Sequence, residues 1–125
     1  MTTMLEVALA FARECLGWKD ARAVHTQDPL GHPRFVVCSP SAERNTLFTP
    51  TDLADVRAIA RTWCDANDLT LTLEPEADGG PTEASVSRAG RSAEDGRLSR
   101  ANSPSPGHAL LAACVLAHRA LAAGP

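Results

Sequence analysis

Aromatic residues are scarce in this chain, with no tyrosine, two tryptophans and three phenylalanines, so its core must be mostly aliphatic and alanine. Long apolar runs are missing too. None approaches the roughly 18 residues of a membrane span. The one apolar N-terminal segment carries Glu6, Arg13 and Glu14 and lacks the basic start and small-residue cleavage site of a secretory leader. A cytoplasmic protein without a membrane partner is therefore expected. Formal charge is only -3 at pH 7, which gives no global drive toward nucleic acid, and none is expected as a partner.

Metal and catalytic signatures are equally sparse. Cys15, Cys38, Cys64 and Cys114 are far apart and none belongs to a CxxC pair, which removes zinc-knuckle and thioredoxin-type spacing. Three of the four fall on apolar stripes of expected helices and read as small buried hydrophobes. His25, His32, His108 and His118 form no HxH or HExxH pattern, and His108 and His118 stand nearly three helical turns apart. No GxSxG frame, P-loop or dinucleotide fingerprint occurs. The sequence thus predicts no metal, no cofactor and no enzyme.

What is present is one domain's worth of chain, 125 residues at 44% hydrophobic content, read as a single domain over 1–125. Thr3 and Glu6 form a capping box for a helix running to Leu16, which Gly17 terminates, with Trp18 folding back on its last turn. Residues 20–26 have weak strand character, RFVVC at 34–38 is a clearer strand, and DPLGHP between them is a hairpin turn. Leu47 and Phe48 staple the entry to a second helix, with Thr49 as its N-cap, Pro50 at its first position and Asp52 completing the box. Asn67 and Asp68 stop that helix, and Leu69, Leu71 and Leu73 alternate with Thr70, Thr72 and Glu74 as a strand with one buried face. TEASVSR at 82–88 is a further strand, antiparallel to it. Residues 89–106, rich in Gly, Ser, Arg and Pro, show no hydrophobic period. They read as a flexible loop, with a short edge strand around 96–101 as the alternative. Ser105 and Pro106 open a last helix whose Leu110, Cys114, Ala117 and Leu121 form one stripe, apolar over a wide arc. The order α-β-β-α-β-β-α predicts an α/β (α+β) fold, a small antiparallel or mixed sheet of about four strands with helices on its faces.

The LGW ending helix 1, the proline-led TPTDLADVRAIARTWCDANDL helix feeding a Leu-alternating strand, the TEASV strand and the closing SPSPGHALLAACVLAHRAL together resemble the phage ABA-sandwich family of small phage and prophage proteins. The resemblance covers most of the chain and consists of packing residues. Its members are mostly uncharacterised, so it implies a fold and supplies no catalytic residue. The segment 89–106 is longer and more arginine-rich than the family pattern, and the linker 39–45 has no counterpart there. Small phage-derived proteins without catalytic motifs are often inhibitors of host defence, so the resemblance implies a counter-defence binding protein in the bacterial cytoplasm.

Charge placement marks where such binding would occur. Six acids and no base lie between Asp65 and Glu83, and Arg88, Arg91, Arg97 and Arg100 follow. Arginines among Ser and Gly suit bidentate capture of phosphate, while the bland alternative is a solvated loop. The candidate ligand-binding residues are therefore Arg88, Arg91, Arg97 and Arg100, with Arg22, Arg34 and Trp18 as helpers. The expected partner is a small anionic nucleotide signal, with a homo-oligomer building the pocket between subunits. The alternatives are a host defence protein occluded through the acidic region, or a structural phage component.

Overall fold

Each helix begins where the sequence supplies an oxygen for its first free amides. The computed structural model describes residues 3–27, 29–31, 33–38, 47–50, 52–75, 82–90 and 96–123. Helix α1 (Met4–Ala10) opens on Thr3, whose Oγ1 accepts the Glu6 amide at 3.1 Å. A π-helical turn (Phe11–Cys15) continues it, closed by the Leu16 N–H donating to the Phe11 carbonyl at 3.1 Å. The chain then reverses at Gly17, whose φ of 72° disfavours any residue with a Cβ. The expected extent of this helix holds, and the wider last turn is the difference. It carries Phe11 and Ala12 fully into the core.

Helix α2 (Leu53–Ala66) starts later than Thr49 and Pro50 indicate. Its N-cap is Asp52, whose Oδ1 accepts the Ala54 and Asp55 amides at 3.0 and 3.4 Å. Thr49 and Pro50 are buried instead, in a turn where the Asp52 N–H donates to the Thr49 carbonyl. The reason is local competition. A carboxylate one residue before the helix reaches the free amides, whereas the Thr49 N–H is itself taken by the Asp55 carboxylate. The stop falls where expected, with Asp68 in the left-handed region at φ 55°. Helix α3 (Pro106–Ala122) opens on Ser105 with Pro106 at its first position, as the sequence indicates.

Six strands form two antiparallel sheets. β1 (Arg22–Gln27) and β2 (Pro33–Cys38) make the expected hairpin, and β3 (Leu47–Phe48) adds to β2 by pairing Phe48 with Val37. β4 (Leu69–Pro75), β5 (Thr82–Arg88) and β6 (Arg97–Ser103) form the second sheet in that order. The α+β class is as predicted, but one sheet of about four strands is corrected to two sheets of three. For residues 97–103 the edge-strand alternative holds in place of the flexible loop, and the strand, β6, runs two residues further than expected. Its buried positions are Ser99 and Ser103, with Leu98 and Ala101 only partly buried, so the strand carries no clear apolar period to read. Residues 91–95 and the linker 39–45 lie outside the described residues.

α3 lies across β5 and β6, α2 packs beside it on β4, and α1 packs on α3. Ala84, Val86, Leu110, Leu111, Ala113 and Cys114 are essentially inaccessible between them. Among the described residues no helix is long and apolar enough to cross a membrane.

The placement of the α2 cap is measurable. In urea denaturation Asp52→Ala lowers stability by about 1 kcal/mol, whereas Ala at exposed Arg57 stays within about 0.5 kcal/mol of the parent. Equal values for the two would contradict the assigned cap.

Candidate anion-binding face

Because the helices cover one face of the β4–β6 sheet, alternation turns every second side chain of these strands to the other. On β4 those are Thr70, Thr72 and Glu74, all exposed, and on β5 Glu83, Ser85 and Ser87. The register sets Thr72 against Ser85 and Ser85 against Arg100, and one step along it sets Thr70 against Ser87 and Ser87 against Arg97. Two neighbouring cross-strand rows therefore each hold two hydroxyls and an arginine. The second row depends on a β-bulge. Leu98 is the extra residue opposite Val86 and Ser87, where it packs toward the core and leaves Arg97 across from Ser87.

The face is polarised along its strands. At one end Glu74 and Glu83 are directly opposed, a repulsive like-charge pair that Arg100 relieves through Nε at 3.3 Å from Glu83 Oε1. Toward the other end stands Arg97, exposed and without an ion pair among the described residues. Arg88 is also exposed and without an ion pair among them, but it stands opposite Leu69 with the parity of Val86, so alternation turns it to the helix side at the end of β5. A phosphate offered to the open face would meet the guanidinium of Arg97 and nearby hydroxyl donors, the requirements of charge-assisted anion binding. The described part of the face carries no histidine or cysteine.

Of the sequence-derived candidates, the structure thus gathers Arg88, Arg97 and Arg100 on β5 and β6. Arg22 opens β1 in the other sheet and is exposed there. Trp18 is half-buried, with its ring centroid 6.1 Å from that of Phe48. Arg91 and the side chain of Arg34 lie outside the described residues. Sequence reasoning missed the hydroxyls Thr70, Thr72, Ser85 and Ser87, although the LTLTLE alternation already turned the threonines outward. Outside the face, Arg57 and Arg61 with Thr62 and Asp65 line an open concavity of about 490 Å³ along α2.

The remaining reactive groups are structural. All four cysteines are free. Cys64 and Cys114 share a hydrogen bond whose proton stays on Cys114, pulling the Cys64 thiol down and pushing Cys114 well up, where burial adds to the effect. Cys15, with Sγ 3.6 Å from the Cys114 carbonyl oxygen, is pushed up to about 12 by burial and then by the Glu14 charge. No group of three His, Cys, Asp or Glu is placed to hold a metal ion among the described residues. At the surface Arg119 donates from Nε and Nη2 to the two Glu14 oxygens, each at 2.9 Å, and holds the Glu14 carboxyl below the usual carboxylate range.

Comparison with protein-family models, with curated proteins and with solved structures returns no match.

Two outcomes follow from this electrostatic picture. In the folded protein at pH 8, Cys15, Cys64 and Cys114 resist alkylation by iodoacetamide and all react in denaturant; rapid native labelling of Cys64 or Cys114 would contradict their burial. Because Glu14 titrates lower folded than unfolded, its pairing stabilises above the unfolded value and is lost as pH falls through the folded one. Glu14→Gln therefore costs about 0.2–1 kcal/mol at pH 7, as exposed pairs do, and next to nothing at pH 3, read from denaturation midpoints at both pH values.

Proposed function

We propose that the chain is a non-enzymatic binding protein whose ligand is a small, phosphate-bearing nucleotide held on the open face of the β4–β6 sheet. The observation that carries this reading is the pair of Thr-Ser-Arg rows, the second of which ends on Arg97, unpaired among the described residues. Phosphate oxygens accept from the guanidinium groups, the sheet hydroxyls supply further donors, and the Glu74–Glu83 end repels the charge and so sets the ligand's orientation. The resemblance of the packing residues to the phage ABA-sandwich proteins supports a biological setting for this chemistry: sequestration of a nucleotide signal of host defence in the bacterial cytoplasm. Self-association across the sheet would deepen an otherwise open site, and a homo-oligomer belongs to the same proposal.

Thermal-shift measurement against cyclic mononucleotides, cyclic dinucleotides and ADP-ribose-type nucleotides tests it. A ligand at about 100 times its dissociation constant stabilises by about 2.7 kcal/mol, a shift of several degrees in a domain of this size. Arg97→Ala with Arg100→Ala removes the shift, and Arg57→Ala with Arg61→Ala preserves it. No response to any nucleotide would overturn the proposal, and a response lost with Arg57 and Arg61 would move the site to α2.

A further inference from the structure

The β4–β6 sheet ends on two strands that are guarded very differently. At one edge β6 carries Arg97 and Arg100, and the bulge at Leu98 breaks its ladder, two devices that keep a foreign strand away. The other edge, β4, has neither. Its residues Leu69–Pro75 pair with β5 without a shift of register, hold Glu74 as their one charge, and reach a proline only at the last position. Among the described residues no strand lies against its outer side.

One contact fixes which backbone groups face outward there. The Ala89 N–H donates to the Asp68 carbonyl at 3.0 Å, so the planar peptide joining Asp68 to Leu69 points its carbonyl toward β5 and its N–H away. Alternation then turns the N–H and C=O of Thr70, Thr72 and Glu74 into the β4–β5 ladder, and those of Leu69, Leu71 and Leu73 outward. Leu69 is buried, so the open part of the row is Leu71 and Leu73, whose side chains are only partly covered by the core. Alternating donors and acceptors bordered by half-covered leucines are complementary to one kind of partner, an extended strand with an apolar face.

We infer that a second copy of this chain supplies that strand, β4 against β4 in antiparallel register about a two-fold axis at Thr72. In that register the sequence is self-complementary. Leu71 of each copy stands opposite Leu73 of the other and exchanges both backbone hydrogen bonds with it, while the leucine side chains meet on the helix side and carry the core across the axis. On the open face Thr72 meets Thr72 and Glu74 meets Thr70, so no like charges are opposed. An axis at Leu71 would instead set Glu74 against Asp68 of the second copy, and pairing β6 with β6 would gather Arg97 and Arg100 of both copies along one seam. The product is a continuous sheet in the order β6-β5-β4-β4-β5-β6, in which the open polar face of one copy runs on into that of the other. This seam gives the proposed homo-oligomer its geometry and rests on the strand edge alone, not on the ligand.

Sedimentation equilibrium over a concentration series, without nucleotide, is the test, and a reversible monomer–dimer equilibrium is expected. Thr72→Lys, at an exposed position, sets two ammonium groups face to face on the axis and leaves a monomer with unchanged circular dichroism. In a Cys38→Ser background Thr72→Cys closes a covalent dimer on mild oxidation, because directly opposed Cα atoms of such a pair lie about 4.5 Å apart, within disulfide reach. Thr70→Cys stands roughly 14 Å from its counterpart and does not cross-link. In hydrogen exchange the Leu71 and Leu73 amides are protected in concentrated protein and lose protection on dilution, whereas the Thr72 amide, bonded within the β4–β5 ladder, is protected in both. A monomer at every concentration, a dimer that survives Thr72→Lys, cross-linking through Thr70→Cys in place of Thr72→Cys, or growth into chains longer than a dimer would each overturn the inference. Each of these results leaves the nucleotide titration to stand or fall by itself.

Discussion

One line of aromatic rings ties the elements of this molecule together. Trp18 meets Phe48 at 6.1 Å between ring centroids, Phe48 meets Phe11 at 6.0 Å, Phe11 meets Trp63 at 6.4 Å, and Trp63 meets His118 at 6.3 Å. Those rings come from the segment after α1, from β3, from the π-helical turn, from α2 and from α3, so a single contact line crosses both the first sheet and the helical layer. With five Trp and Phe in the whole chain, nearly all its large rings are committed to this purpose. Truncating a ring such as Phe11, inaccessible to solvent, would cost on the order of 3–5 kcal/mol, a large share of a small domain's stability. The π-helical turn matters for the same reason, since it carries Phe11 into that line.

The rest of the core is small. Ala84, Ala109, Ala113 and Ala117 let α3 approach the β4–β6 sheet closely, and Ser99 can be buried at that contact because its hydroxyl donates to the Ala113 carbonyl at 2.6 Å. Gly107 serves the same close packing at the start of α3, where a Cβ would sit 3.4 Å from the Pro50 carbonyl oxygen. Gathering the apolar residues under α2 and α3 leaves the opposite face of this sheet to Thr, Ser, Glu and Arg. That face is polar because the scaffold consumes one side of every strand, and its charge order along the strands gives it a direction.

The parts legible in the sequence were those governed by local rules. The start of α1, the proline-led opening of α3, the hairpin, the stop at Asp68 and the 82–88 strand all follow from caps, turn residues and period. Competition and burial without hydrophobicity hid the rest. Asp52 displaced Thr49 as a cap through a contact that depends on Asp55, and β6, legible only as an alternative to a loop, is held inward in part by serines that look solvated in a sequence. The arginines were visible as a charge bias, but their division into one engaged by Glu83 and two left free depends on register.

Under the proposed function the β4–β6 sheet divides its labour, with the helix-covered side as scaffold and the open side as the binding face. Backbone amide chemical-shift mapping during titration with a stabilising nucleotide tests that division residue by residue. Saturable shifts confined to 70–72, 85–87 and 97–100, with α2 and α3 unmoved, are expected. Saturable shifts that map to the helices or to the β1–β2 hairpin, with the sheet amides silent, would contradict it.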